Sequence, residues 1–101
     1  MNIGQAIRTI RKGQTPKLSQ NKMAKSIGIT QSYLSHIESG KTPNINILES
    51  IAKYFDMPLA IMFWISFEES DVSESKKSAF RLLKPSIDVL IEGFVWLTKN
   101  N

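Results

Sequence analysis

The stretch from Ser19 to Lys41, SQNKMAKSIGITQSYLSHIESGK, decides the fold of this 101-residue chain. It contains the start and stop signals of two short helices joined by a tight turn at Gly28. Ser19 and Thr30 are suited to cap the two helices, because a hydroxyl oxygen accepts hydrogen bonds from the free N–H groups of a first helical turn. Gly28 supplies the positive φ that so short a turn requires.

Apolar residues recur at helical spacing in this stretch, so they are predicted to face inward. They are Met23, Ile27, Ile29, Leu34 and Ile37. Ala24 has almost no side chain, so the second helix can cross close to it. That second helix is predicted to end at about Ser39. Its outer face then carries polar side chains, none of them acidic: Gln31, Ser32, Ser35 and His36.

These residues resemble the helix-turn-helix of the Cro/cI-like (XRE) family of DNA-binding repressors. The match continues outside the motif at Ile10-Arg11, Leu18-Ser19-Gln20, Ile37 to Lys41, Pro43, Ile51-Ala52 and Leu59. It covers about residues 3–67 and says nothing about residues 68–101. The resemblance implies an all-α fold with a five-helix, lambda-repressor-like DNA-binding domain.

The motif also indicates which residues would contact DNA. Base reading is expected from Gln31 and Ser32 in the first turn of the second helix, with Ser35 and His36 one turn further along. Phosphate binding is expected where a helix start offers free N–H groups and a positive dipole end. It is also expected at family positions that flank the groove. The phosphate-binding candidates are Gln20, Lys41, Thr42 and Asn44, with Lys17 as a further contributor.

The resemblance further implies an internal ion pair between Arg11 and Glu38. Glu38 follows the inward residue Ile37, and a lone buried carboxylate there would be costly. The alternative is that the two side chains are exposed and independent.

Three further helices are predicted around the motif. The first spans Ile3–Lys12. The fourth spans Ile45–Phe55, capped by Asn44 and with Ile45, Leu48, Ile51, Ala52 and Phe55 facing inward. The fifth runs from Leu59 to about Phe67. It is apolar nearly all round, so it must be covered on two sides.

The remaining chain is predicted to be a linker, residues 68–75, followed by a helical dimerisation segment, residues 76–99. This division leaves residues 1–67 as the DNA-binding domain. A helix from about Ser75 to Lys99 would be kinked or split at Pro85, and the unbroken spacing favours a kink. Its apolar seam has 3-4 spacing: Phe80, Leu83, Ile87, Leu90, Phe94 and Leu97. A second apolar line holds Leu82, Val89 and Trp96.

This seam, with Phe63 and Trp64 of the fifth helix, is predicted to form a homodimer interface. The alternative is that the seam folds back on its own domain. A second protein partner is a further alternative, since an apolar helix face can bind any complementary helix.

Charge and composition narrow the class of protein. Residues 1–67 hold eight Lys or Arg against three Asp or Glu, while residues 68–101 hold five against six, so the positive charge lies with the motif. The chain has no cysteine and one histidine, which speaks against a thiolate metal site, a cofactor or an enzyme. The longest apolar run, Met57 to Phe67, is shorter than the ~20 residues that a membrane helix needs. A cytoplasmic protein is predicted.

The sequence therefore predicts a sequence-specific regulator of transcription, a repressor that acts as a homodimer on double-stranded DNA. The alternative is an antitoxin or a protein-interaction module whose C-terminal helix binds another protein.

Overall fold

The computed structural model describes residues 1–93, which form six α-helices and no strand. The helices are α1 (Ile3–Lys12), α2 (Gln20–Ile27), α3 (Gln31–Glu38), α4 (Ile45–Tyr54), α5 (Leu59–Ser66) and α6 (Lys77–Glu92). Two short 3₁₀ helices, Glu69–Asp71 and Glu74–Lys76, precede α6. The predicted all-α fold class is confirmed. None of the helices in residues 1–93 has both the length and the apolarity to span a bilayer.

The chain divides into two compact units, one of residues 2–66 and one of Met1 with the residues from 67 onward. In the first unit, α1 packs against α3 and α5, α2 packs against α3 and α4, and α4 packs against α5. Seven large side chains are fully buried: Ile7, Ile10, Met23, Leu34, Ile37, Ile51 and Met62. Two of them belong to α3, so this helix is held from its inner side.

Four helices of the first unit begin at a side-chain cap. The side-chain oxygens of Asn2, Ser19, Thr30 and Asn44 accept hydrogen bonds from the backbone N–H three residues on. The caps predicted at Ser19, Thr30 and Asn44 are confirmed, as is the left-handed conformation of Gly28, with φ 77°. These local signals fix where each helix starts.

One residue that was predicted to lie in the core is exposed to solvent. Ile45 was expected to face inward but is 53 % exposed, whereas Leu48, Ile51, Ala52 and Phe55 are buried. Ile45 occupies the first position of α4, directly after its cap. Periodicity identifies the face of α4 that turns toward the core. It does not show that burial on this face begins only at Leu48.

Helix α6 passes through Pro85 without a break, so the alternative of two separate helices is wrong. It begins at Lys77 and not at Ser75, because Glu74–Lys76 forms a 3₁₀ turn instead. The predicted linker likewise contains the 3₁₀ turn Glu69–Asp71, which is closed by a reciprocal capping box with Glu68. The predicted continuation to Lys99, with Phe94 and Leu97, lies outside the described residues.

Candidate nucleic-acid interface

Helices α2 and α3 meet across the turn at Gly28. The N–H of Ile29 donates to the carbonyl oxygen of Ala24 at 3.0 Å, which closes the end of α2. Ala24 is buried beneath the contact, and Met23 and Leu34 are fully enclosed. A small residue at the crossing and an αL glycine at the turn hold the two helices in a fixed relation.

The outer face of α3 is polar and accessible to solvent. Gln31, Ser32 and His36 are exposed, while Ser35 is half-buried at the edge of the same face. The opposite face carries Leu34 and Ile37, both fully buried. Three of the four predicted base-reading side chains are therefore exposed on the surface of the first unit. Ser35 is less accessible to a base.

A buried ion pair lies behind this face. Arg11 Nε donates to Glu38 Oε2 at 2.7 Å, and Arg11 Nη2 donates to Glu38 Oε1 at 2.9 Å. Arg11 Nη1 donates to the carbonyl oxygen of Leu18 at 3.0 Å. The bidentate pair thus ties α1 to the last residue of α3 and to the loop that leads into α2.

The electrostatics of the pair favour its charged form. Burial alone would raise the pKa of Glu38, but hydrogen bonds from Arg11 and Gln20, together with the charges of Arg11 and Arg8, outweigh it. The net result holds the pKa of Glu38 below its usual range. The hydrogen bond to Glu38 likewise raises the pKa of Arg11 against the effect of burial. The pair remains ionised at neutral pH.

Gln20 extends this network to the outer face. Its Nε2 donates to Glu38 Oε1 at 2.9 Å, and its Oε1 accepts from Gln31 Nε2 at the longer distance of 3.5 Å. The side-chain amide of Gln20 is therefore engaged with protein. A phosphate contact at this position would use the backbone N–H at the start of α2.

The other predicted phosphate-binding residues flank α3. Lys17 precedes α2, and Lys41, Thr42 and Asn44 follow α3; all four are exposed. Asn44 Oδ1 accepts from Ile47 N at 2.9 Å as the α4 cap, and this bond does not use its amide N–H₂. Lys41 Nζ lies 5.0 Å from the centre of the Tyr33 ring, and this cation–π contact keeps the ammonium beside α3.

The residues predicted for a dimer interface differ in their exposure to solvent. Leu83 and Leu90 are exposed, whereas Phe80 and Ile87 on the same helix are half-buried. Phe63 and Trp64 on α5 are also half-buried.

A close helix contact that periodicity does not reveal helps to position α3. Gly4 of α1 is buried, and a Cβ placed on it would lie 2.0 Å from the carbonyl oxygen of Ile37. Only a residue without a side chain lets α1 approach α3 this closely. The sequence signal was a glycine inside a helical pattern, where alanine would favour the helix.

Two capped helices joined by a glycine turn, the second with a buried apolar face and an exposed polar face, define a helix-turn-helix DNA-binding protein. A helix-turn-helix family model matches residues 7–62, and the chain belongs to this family. It is also 26 % identical over 91 residues to the "Cryptic phage CTXphi transcriptional repressor RstR" of Vibrio cholerae. That similarity covers 82 % of this chain and 80 % of the relative. No solved structure matches the chain.

The family and this relative establish a DNA-binding transcriptional regulator, and they point away from an enzyme. The predicted family is confirmed. Within residues 1–93, no group of three or more His, Asp or Glu side chains is arranged to hold a metal ion.

Proposed function

We propose that the protein is a cytoplasmic repressor that binds, as a homodimer, an operator of two half-sites about one helical turn apart. The observation that carries this proposal is the exposed polar face of α3, held from behind by the Arg11–Glu38 pair. A relative described as a phage transcriptional repressor supports repression as the outcome. In this mechanism the protein acts by occupying DNA, and no covalent step is involved.

In the proposed complex, the first turn of α3 enters the major groove. Gln31 has both an amide donor and a carbonyl acceptor, so it can pair with the N6 and N7 positions of adenine. Before DNA binds, its Nε2 lies at the long distance of 3.5 Å from Gln20 Oε1, so the amide remains available to a base. Ser32 and His36 extend the reading face, and Ser35 contributes at its edge.

Phosphate contacts would fix the register of α3 in the groove. The N–H groups at the start of α2 face one strand, with Lys17 beside them. Lys41, Thr42 and Asn44, which follow α3, grip the backbone on the other side of the groove. The excess of positive charge in residues 1–67 supports contact with the DNA backbone.

Selection of bound sequences from a random duplex library tests the proposal directly. The expected product is a pseudo-palindrome with half-site centres separated by about 10 base pairs or a multiple of that spacing. Enrichment of a single unrepeated site would contradict the dimeric part of the proposal. No enrichment at all would contradict sequence-specific recognition.

Gln31→Ala should weaken binding to the selected operator by about 1–3 kcal/mol per half-site, because each protomer of the proposed dimer loses one bidentate base contact. Preference should be relaxed at one base position of each half-site. Titration of operator variants by fluorescence anisotropy measures both effects. Gln5→Ala, at an exposed position of α1 outside the proposed interface, is the matched amide control. An equal loss on operator and random DNA for Gln31→Ala would show that the reading face is wrongly assigned.

Lys41→Ala should weaken binding to every duplex sequence by a similar factor and reduce the slope of log K against log salt by about two units, about one for each protomer of the proposed dimer. The physical reason is the loss of one neutralised phosphate in each half-site. Affinities measured over a series of salt concentrations give the slope. Lys53→Ala removes another exposed lysine, at the opposite end of α4 from Asn44, and should leave the slope unchanged. An unchanged slope for Lys41→Ala would remove this residue from the phosphate contacts.

An antitoxin or protein-interaction role is the alternative function, and the exposed apolar side chains of α6 favour it as a second candidate. The two functions differ in what covers α6. In a repressor dimer the second copy covers these side chains, whereas an interaction module keeps them accessible in its purified form.

A further inference from the structure

Tyr33 lies at one edge of the polar face of α3. Successive residues of an α-helix are turned by about 100°, so the outer side of α3 extends over about 200° from Gln31 to Tyr33. Ser32 and His36 are exposed between these two edges, and Tyr33 itself is half-buried. The proposed reading face is therefore bounded by Gln31 on one side and by Tyr33 on the other.

Lys41 reaches the Tyr33 edge from the loop that follows α3. The N–H of Lys41 donates to the carbonyl oxygen of His36 at 2.9 Å, and the N–H of Gly40 donates to the carbonyl oxygen of Ile37 at 3.0 Å. These two bonds form the Schellman arrangement that ends many helices, and they fix the backbone of Lys41 to the last turn of α3. The freedom that remains to Lys41 is mainly that of its long, flexible side chain.

The ring of Tyr33 restrains that side chain without neutralising its charge. Lys41 Nζ lies 5.0 Å from the ring centre, within the range of a cation–π contact. No ion pair within residues 1–93 includes Lys41. A carboxylate in the place of the ring would hold the ammonium but would compete with an incoming phosphate. The aromatic face leaves the positive charge and its N–H donors available to an anion.

A restrained ammonium binds a phosphate at a lower entropic cost than a free one. A lysine side chain loses much of its rotamer freedom when it is immobilised against a ligand. The Tyr33 ring removes part of this loss before DNA binds, because it already keeps the ammonium beside α3. Since the ammonium has three donors, the ring can cover one side while a phosphate oxygen binds on another.

We infer that Tyr33 is a positioning residue, whose ring holds the Lys41 ammonium at the edge of α3 opposite Gln31 for contact with a DNA phosphate. This inference rests on the proposed function, in which Lys41 binds the backbone, and it adds the residue that prepares the contact. The effect of Tyr33 is independent of base sequence, since phosphate contacts orient a protein on the duplex without reading it.

Proton NMR of the free protein tests whether the ring holds the lysine. The ring current of Tyr33 should shift the side-chain methylene protons of Lys41 upfield. Tyr33→Phe should keep this shift, and Tyr33→Leu should abolish it. The measurement on the unsubstituted protein requires neither a substitution nor DNA. An unshifted Lys41 side chain there would overturn the inference, while the proposed function would still stand.

A double-mutant cycle on the full chain tests the effect on DNA binding. Tyr33→Leu should weaken binding to the selected operator and to a random duplex by about two- to fivefold for each protomer, because an exposed cation–π contact changes the population of the held rotamer by that factor. In a Lys41→Ala background the same substitution should have almost no effect. Tyr33→Phe, which keeps the ring, should restore most of the affinity that Tyr33→Leu loses.

Tyr54→Leu is the matched control for the loss of an aromatic ring. Tyr54 is also half-buried, but it is the last residue of α4, at the opposite end of that helix from Asn44. This variant should bind both duplexes like the unsubstituted protein. Circular dichroism of each variant verifies that it is folded under the conditions of the binding assay.

The outcomes separate this inference from the proposed function. If Tyr33→Leu weakens binding equally with and without Lys41, the ring acts through the fold or directly on DNA, and the inference alone is overturned. Unchanged or tighter binding by Tyr33→Leu would show that the ring does not prepare the ammonium for phosphate, with the same consequence. If Lys41→Ala has no effect on affinity, the inference and the proposed phosphate contact of Lys41 are overturned together.

Discussion

Arg11→Met is expected to lower the free energy of unfolding by about 3–5 kcal/mol at pH 7, the usual cost of leaving one charge of a buried pair without its partner. Glu38 would lose two hydrogen bonds and its counterion while remaining buried. Urea denaturation followed by circular dichroism measures the change. DNA affinity should fall with it, because the pair anchors the end of α3.

The dependence on pH tests the cause of this loss. In the unsubstituted protein the pKa of Glu38 is lowered by folding, so the stability it contributes is present above its ordinary pKa of 4.5 and disappears as pH falls through the folded-state value. In Arg11→Met, burial without a counterion raises that pKa, so protonation relieves the unpaired charge. The gap in stability between the two proteins should therefore narrow as the pH falls from 7 toward 4.

The double variant Arg11→Met, Glu38→Gln is the control for lost packing. It removes both charges and keeps an acceptor for the amide of Gln20. Much of the stability lost in Arg11→Met should return. If Arg11→Met were as stable as the unsubstituted protein at every pH from 7 to 4, the ion pair would contribute little to the free energy of unfolding.

Gly4→Ala is expected to destabilise the protein by about 1–3 kcal/mol or more, the typical cost of inserting a methyl group into a packed contact. The added Cβ would lie 2.0 Å from the carbonyl oxygen of Ile37 and 3.1 Å from its carbonyl carbon. Both are backbone atoms, so no side chain can rotate away, and α1 or α3 must shift. Because α3 carries the proposed base-reading face, affinity for the proposed operator should fall as well.

Helix propensity predicts the opposite sign for this substitution. Alanine favours a helix over glycine by about 1 kcal/mol, so a loosely packed α1 would become more stable. Gln5→Ala, at the adjacent exposed position, measures the effect of alanine on α1 without the contact. Thermal unfolding of the two variants side by side gives the comparison. An increase in stability for Gly4→Ala would contradict the close approach of α1 and α3.

The helices and their starting points were predictable because their signals are local. Ser19, Thr30 and Asn44 cap through bonds to a residue three positions away, and Gly28 needs only its own φ. The exposed face of α3 followed from its periodicity for the same reason. The resemblance to a known family supplied the Arg11–Glu38 pair, which spans 27 residues and which no local pattern specifies.

Contacts between distant segments were not predictable in this way. The approach of Gly4 to Ile37 depends on how two helices cross, and the sequence between them does not encode that distance. Gln20 was assigned to phosphate from its position at a helix start, yet its side chain joins Glu38 to Gln31. Ile45 lies on the face of α4 that turns toward the core, but burial on that face begins only at Leu48. In each case the packing of distant segments, which the local sequence does not specify, determined where the residue lies and what it contacts.

The separation of the two faces of α3 makes this helix a candidate for redesign. Ser32 and His36 can be exchanged without altering Leu34 or Ile37, since neither exposed residue supports the core. Transplanting the outer residues of another repressor onto this scaffold should therefore retarget it to a new promoter while its melting temperature stays nearly constant. Gln20 should be kept in any such transplant, because its side-chain amide donates to the buried carboxylate of Glu38 at 2.9 Å.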